Sequence, residues 1–380
     1  MVSICVMRKK VLFIVNCLIG GGVEKVLITF LKNFDYTRFD VELLLIYNKG
    51  IYLNDVPKEV NVKYLYSKPL SILEKINYNL LFRLGIDYGY KFLIRSRVSK
   101  YDVIVSFFEG LSLKYHSYII KNGKKNISWV HTDMYNNHNY IGHFFTERQE
   151  KEAYGKMDKI IFVSNDAKKQ FERLYPDIFT KKEVILNPIE KDFIAKYRRG
   201  YKKYLNDRCF NIVSVGRLNK DKAFDRLVRL GKQLKDDGYD FFINIIGEGE
   251  ERDRLEDLIL EYGLDNYVSL RGFLKPPYEV MADSDLFVLV SNVEGFPLVV
   301  CEAFCLGLPV VVTRTTGPIE LIDNDKYGLL IDHNDESIYK AVKRMIDNDS
   351  LREYYHKRSL ERAEILNIDE VMNSVYNLLY

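Results

Sequence analysis

Cysteine is scarce in this chain: five in 380 residues, at positions 5, 17, 209, 301 and 305. None forms a C-x-x-C pair or shows metal-ligand spacing, which excludes a disulfide-stapled or zinc-built fold and fits a reducing cytoplasmic setting. Cys301 and Cys305, four apart on an expected helix, read as packing residues. Long apolar runs are missing too. Val11–Ile19 is apolar except for Asn16, too short to cross a bilayer, and no small-residue cleavage site follows it. It reads as a buried strand, with Met7 before Arg8-Lys9-Lys10 as the expected working start. Nine Pro and 22 Gly rule out collagen-like and low-complexity classes.

What is present suits two packed domains. Apolar residues make up 47% and aromatics 13%, including 28 Tyr. The length favours about two domains of roughly 190 residues. The net charge of +3 hides an asymmetry: residues 1–190 carry 29 Lys/Arg against 20 Asp/Glu, and residues 191–380 carry 27 against 33. Between Lys63 and Lys125, 12 basic residues face four carboxylates. A solvated helical face and attraction to an anionic surface or acceptor, such as phospholipid headgroups, are both open readings. Nucleic acid is not expected, because no helix-turn-helix, RNA-binding aromatic motif or basic arm is present.

Short apolar runs alternate with helix-period segments. Strands are expected at Val11–Cys17, Val41–Tyr47, Val103–Phe107, Ile127–Val130, Lys159–Val163 and Val184–Leu186. The second half restarts at Phe210–Val215, then continues at Phe241–Ile246, Tyr267–Leu270, Leu286–Val290, Val310–Thr313 and Gly328–Ile331. Helices are expected at Val23–Asn33, Leu70–Val98, Asp166–Leu174, around Phe224–Leu234, Glu251–Tyr262, Leu298–Leu306 and Ser337–Ile346. Continuous apolar strands between amphipathic helices imply parallel sheets covered on both faces. Two series joined near Asn187–Arg199 imply an α/β protein of two doubly wound domains, with ligand beyond the carboxyl ends of the strands and a cleft between domains as its seat.

Three segments carry chemistry. Gly20-Gly21-Gly22 follows the first strand and opens a helix, where exposed N–H groups can hold a phosphate; an ordinary tight turn reads the same way. Glu24 in that first turn suits a helix N-terminus. The pattern is not G-x-G-x-x-G, so NAD binding is not expected. Val215-Gly216-Arg217-Leu218 ends a strand, and Lys222 follows: a guanidinium fork and a point charge, suited to two phosphates. Ser291-Asn292-Val293-Glu294-Gly295-Phe296-Pro297-Leu298-Val299-Val300-Cys301-Glu302 runs from a strand end into a helix, so both carboxylates can face the crevice and accept sugar or ribose hydroxyls. Asp283-Ser-Asp285, Asp323-Asn-Asp325 and Asp347-Asn-Asp349 have the D-x-D letters but not the strand context of a metal-binding motif. His138 and His143 read as loop residues.

Those strings, together with Ile246-Gly-Glu-Gly-Glu-Glu-Arg, Gly272-Phe-Leu, Ala282-Asp-Ser-Asp-Leu-Phe-Val-Leu, Leu308-Pro-Val-Val-Val-Thr and Gly317-Pro-Ile-Glu, resemble the family 4 retaining glycosyltransferases. The similarity covers nearly the whole second half. In the first half only Gly20-Gly-Gly-Val-Glu and Ser128-Trp-Val-His-Thr-Asp match well. The resemblance implies two facing Rossmann-like domains of the GT-B type. Residues 1–190 would form the acceptor side and 191–362 the nucleotide-sugar domain, with 363–380 a helix crossing back.

It further implies Arg217 and Lys222 on the donor diphosphate, Glu302 on the nucleotide ribose and Glu294 at the transferred sugar. Gly295, Phe296 and Pro297 would cradle sugar and phosphate, Leu298 and Val299 would lie at the phosphates, and Gly216 would end the strand beside them. Gly272, Phe273 and Leu274 would lie beside the base, Gly21 and Gly22 would form the first-domain phosphate loop, and His131 would lie near acceptor or sugar hydroxyls. Ala223 stands where the family has Gly, which questions the backbone path beside Lys222. The implied reaction moves a hexose from a nucleotide diphosphate sugar, UDP first, to a bacterial surface or lipid-linked glycan. No metal, cofactor or protein nucleophile is expected, and peripheral contact with the inner membrane face is. The rivals are a silent nucleotide-sugar-binding partner of another transferase and a nucleotide-sugar epimerase of the same fold.

Overall fold

The computed structural model describes residues 7–67, 88–136, 138, 143–198 and 209–380. The first six residues and most of the expected Leu70–Val98 helix lie outside them, and its end appears as the helix Tyr88–Arg97. The chain divides into two compact units, Met1–Pro188 with Asp369–Tyr380 and Ile189–Ile368.

The first unit holds β1 (Lys9–Val15), β2 (Phe39–Tyr47), β3 (Asn61–Tyr66), β4 (Tyr101–Ser106), β5 (Gly123–Val130), β6 (Lys159–Phe162) and β7 (Lys181–Val184). They form a parallel sheet in the order β3-β2-β1-β4-β5-β6-β7. Val11 pairs with Val41 on one side and Val103 on the other, so β1 is flanked by apolar strands and buried from Val11 to Val15. β3 was not expected: its NVKYLY sequence places Lys63 on an edge strand, ion-paired to Glu42 at 2.5 Å. Phe13, Phe30, Phe107 and Trp129 meet at centroid distances of 5.1 to 5.9 Å across one face.

The last helix, Ile368–Leu379, groups with this unit from Asp369 onward. Tyr376 stacks on Phe39 at 5.6 Å and donates to the Asn33 carbonyl at 2.8 Å. Lys125 Nζ donates to Leu378 O at 2.6 Å and Lys9 Nζ to Leu379 O at 3.4 Å, cations placed where a helix C-terminus favours them. The returning segment therefore begins later than residue 363, because Ala363 is buried on the preceding helix Asp349–Ile365. In the basic stretch seen in sequence, Lys63 is ion-paired to Glu42 and Lys124 to Asp102, while Lys100 and Lys125 donate to backbone carbonyls.

The second unit holds β8 (Phe210–Val215), β9 (Phe241–Ile246), β10 (Val268–Leu270), β11 (Leu286–Leu289), β12 (Val310–Thr313) and β13 (Leu329–Ile331), parallel in the order β10-β9-β8-β11-β12-β13. Helices Asp225–Asp236 and Asp335–Ile346 pack on it through Leu227, Leu230, Leu234, Ile338, Val342 and Met345. Asn334 and Asn348 cap their helices by accepting the N–H of Ser337 and Leu351. No helix among the described residues is long and apolar enough to cross a membrane.

His116 is buried in the first unit, with Ser106 Oγ and Asn126 Oδ1 each 3.1 Å from a ring nitrogen, and burial pushes its pKa down to about 4. His131 is held down to about 3 for the same reason. Unfolding lets both regain ordinary values near 6.5, so the unfolded state binds more protons below that pH and stability falls as pH drops. Burial raises the Glu109 carboxyl, which acts in the opposite direction. Chemical denaturation between pH 7 and pH 4.5 is expected to show unfolding free energy falling by up to about 1.4 kcal/mol per pH unit per histidine. A flat profile would contradict this burial.

Candidate active site

Each sheet reverses its strand order once, between β1 and β4 in the first unit and between β8 and β11 in the second. Loops leaving the carboxyl ends of such a pair diverge and leave a crevice where ligands bind. In the second unit the loop after β8 carries Gly216, Arg217 and Lys222, and the loop after β11 carries Ser291 to Pro297. The two are laced together. Asn292 N donates to Asp221 O at 2.7 Å, and its side chain donates to Lys220 O at 3.1 Å. Asn219 Oδ1 accepts the Lys222 N–H at 3.2 Å and closes the basic turn.

This lacing brings Lys222 Nζ to 2.5 Å from Glu294 Oε1. Glu294 is 8% exposed and also accepts from Ser291 Oγ at 2.7 Å. A carboxylate this buried stays charged only with a cation and hydrogen bonds around it, and both are here. Arg217 is exposed and, among the described residues, has no ion-pair partner. Glu302 is 3% exposed, in the second turn of the helix Leu298–Leu306, and accepts from Tyr278 OH at 3.4 Å.

Pro297 caps that helix, so the N–H groups of Leu298 and Val299 stand at its start, where intrahelical acceptors are lacking. The Phe296, Pro297 and Leu298 side chains are buried, so this loop offers backbone rather than side chains. Gly295 is buttressed by Gly317, whose absent Cβ would fall 2.4 Å from the Gly295 carbonyl oxygen. Gly216 lies against the Phe224 ring. Gly272 has φ +72° and its carbonyl accepts the Gly247 N–H at 2.8 Å, turning Phe273 outward at 46% exposure, with Leu274 half-buried behind it. Behind the basic turn lies a cavity of about 200 Å³ lined by Arg226, Arg229 and Arg254; Arg229 and Arg254 pair with Asp335 and Glu251.

In the first unit, Gly21 caps the helix Gly22–Lys32 directly beyond β1, at that sheet's reversal point. His131 follows β5 and is 5% exposed, with its ring stacked on Trp129 at 6.2 Å and 4.8 Å from Phe107. Neither ring nitrogen has a hydrogen-bond partner among the described residues. The Asp283 and Asp285 pair sits at the opposite, amino end of β11, where Asp285 Oδ2 accepts the Asn211 N–H at 2.8 Å. His138 is in a loop and is structural, 2.7 Å from buried Glu150 and 3.0 Å from Tyr175 OH.

Residues 199–362 match the family described as "Glycosyl transferases group 1", and residues 20–193 match "Glycosyltransferase Family 4". A Campylobacter jejuni protein named N-acetylgalactosamine-N,N'-diacetylbacillosaminyl-diphospho-undecaprenol 4-alpha-N-acetylgalactosaminyltransferase is 31% identical over 374 residues, 94% of this chain and 95% of that protein. The chain belongs to the family 4 glycosyltransferases. Solved structures agree on the fold. Staphylococcus aureus TarM superposes with a TM-score of 0.76 at 14% identity, over 98% of this chain and 100% of its own. HepE of Anabaena superposes at 0.73 and 18%, over 97% and 99%. The two-unit architecture is therefore that of the GT-B glycosyltransferases.

Two features of this glycosyltransferase escaped the sequence reading. Ser291 and Asn292 had no assigned role, since their partners are fixed only by the adjacency of β8 and β11. Glu109 was passed over, although Phe107-Phe108-Glu109-Gly110 repeats the strand-then-Glu-Gly form of Val293-Glu294-Gly295. The question raised by Ala223 has a direct answer: it takes up the left-handed conformation at φ +49°, so the backbone path beside Lys222 is kept. For a residue with a Cβ that costs about 1 kcal/mol. Ala223→Gly is expected to raise second-unit stability by up to about 1 kcal/mol in denaturant titrations. A loss of stability would mean that Ala223 packing outweighs its strain.

Proposed function

We propose that this glycosyltransferase moves a hexose from a UDP-linked donor to a hydroxyl of a bacterial surface or lipid-linked glycan, with retention at the anomeric carbon. The observation that carries the reading is the Lys222–Glu294 pair at the reversal point of the second sheet, with Arg217, exposed and without an ion pair among the described residues, on the same loop as Lys222. A diphosphate there would meet Arg217, draw Lys222 from Glu294, and accept the helix-start N–H groups of Leu298 and Val299. Glu302 would accept the ribose hydroxyls, Phe273 would offer an exposed ring to the base, and Glu294 would be released toward the transferred sugar. Support for the substrate classes comes from relatives: the Campylobacter jejuni protein is named for a lipid diphosphate acceptor, and TarM and HepE were solved with UDP.

In the proposed step the bond from the anomeric carbon to the leaving phosphate oxygen breaks as the acceptor oxygen attacks from the same face. The acceptor proton passes to that phosphate oxygen, so nucleoside diphosphate and glycoside form without a protein nucleophile. Catalysis then rests on stabilising negative charge as it develops on the diphosphate, the task of Arg217, Lys222 and the backbone N–H groups.

Arg217→Ala is expected to lower turnover about 10²–10³-fold with an unchanged melting temperature, because the side chain is exposed. Lys222→Ala is expected to lower turnover similarly and also to destabilise the second unit, because it strips the cation from buried Glu294. Near-normal transfer by both variants would remove this mechanism.

Peripheral membrane contact is part of the same proposal. Helix Tyr88–Arg97 displays Tyr88 and Phe92, 82% and 76% exposed, alongside Lys91, Arg95 and Arg97. Co-sedimentation with vesicles should rise with anionic lipid content and fall with added salt. Binding indifferent to both would sink an electrostatic attachment.

A further inference from the structure

The cavity behind the basic turn of the second unit is left unused by the proposed chemistry. Its volume of about 200 Å³ is well above what one water needs. The basic turn gives it Asn219 and Lys220, and the first turns of helices Asp225–Asp236 and Arg252–Glu261 give it Arg226 and Arg254. Arg217, Lys222 and Glu294 are not among its walls, so it is separate from the cluster assigned to the donor diphosphate.

Four cations line the cavity, Lys220, Arg226, Arg229 and Arg254, with two carboxylates, Asp225 and Glu251. The carboxylates are already committed. Asp225 Oδ2 lies 2.7 Å from Arg229 Nη1 and 3.6 Å from Arg254 Nη2, and Glu251 pairs with Arg254. Arg229 is further held by Asp335 at 2.6 Å. That leaves Lys220 and Arg226 with no ion-pair partner among the described residues. Arg226 is half-buried and spends one N–H on the Val290 carbonyl at 2.8 Å. A guanidinium has five N–H donors, so most of this fork is available to a ligand. Burial lowers the Arg226 pKa, with Asp225 working the other way, and a bound anion would favour the charged form further. The cations come from three separate elements. A tetrahedral oxyanion offers oxygens to all three at once, whereas a carboxylate offers two in one plane.

We propose that this cavity is a second anion site, distinct from the donor diphosphate site, which takes a phosphate oxyanion, free or as the monoester of a small metabolite. Arg226 holds it through the unused part of its fork, Lys220 supplies a point charge, and Arg254 supplies a further edge. Asn292, on the cavity wall, donates to Lys220 O at 3.1 Å, so the site shares that wall with the lacing between the donor loops.

Equilibrium dialysis of labelled inorganic phosphate against the full chain, saturated with UDP and at constant ionic strength, tests this. One phosphate per chain is expected to bind saturably. Lys220→Gln and Arg226→Gln should each weaken that binding at least about tenfold, since each removes a charged hydrogen-bond donor. Arg217→Ala should leave it unchanged. The Lys220 side chain is exposed and has no hydrogen-bond partner among the described residues. Lys220→Gln should therefore keep its melting temperature, and it reports on the site even if Arg226→Gln fails to fold. Unlabelled glycerol phosphate separates the two sources: stronger displacement than by inorganic phosphate assigns a monoester, and weaker displacement assigns the free ion. Absence of saturable binding in the presence of UDP would overturn the proposal, as would binding indifferent to both cavity substitutions or lost with Arg217→Ala. UDP affinity is measured separately on the same chain. Its failure would overturn the donor reading and leave the dialysis to decide the cavity.

Discussion

A carboxylate at the end of an apolar strand, with 8% of its surface exposed, must find a cation or lose its charge, and in this protein Glu294 finds Lys222. The rest of the second-unit site is arranged around that necessity. β8 and β11 must be neighbours for the two side chains to meet, which sets the strand order at the reversal point. Ser291 supplies a further hydrogen bond, and Thr313 on the next strand fixes the Ser291 carbonyl at 2.6 Å. Ala223 is held in a costly backbone conformation so that Lys222 can reach across.

The same grammar is written twice. In each unit the first strand ends in a glycine-containing turn, the strand across the reversal point ends in Glu-Gly, and a helix start lies nearby. The second unit builds its version from paired charges. The first builds its version from aromatic rings and polar atoms without a hydrogen-bond partner among the described residues: Trp129, Phe107, His131 and Glu109. Paired charges suit an anion that arrives with its own negative charge.

Strands buried on both faces were legible because burial demands unbroken apolar runs: Phe210–Val215, Phe241–Ile246 and Val310–Thr313 appear where the run appears. β3 was not, since an edge strand tolerates Lys63 and loses the signal. Helix Asp349–Ile365 was not, since Tyr355, Ser359 and Ala363 are its buried positions and they make no apolar stripe. Arg217, Lys222, Glu294 and Glu302 stood out because each follows a strand or opens a helix. Their partners did not. That Lys222 touches Glu294, or that Asn292 ties down Asp221 and Lys220, depends on which strands lie side by side, and a linear string does not carry that order. Glu109 was hidden for the same reason.

The stitching of the two second-unit loops by Asn292 has a thermodynamic meaning. Its bonds to Asp221 and Lys220 join the loops through the chain's own groups, so the freedom that a floppy phosphate loop would give up on meeting its guest is surrendered on folding instead. An arriving anion spends little of its binding energy on immobilising protein. It is greeted by a rigid palm rather than by fingers that must first curl.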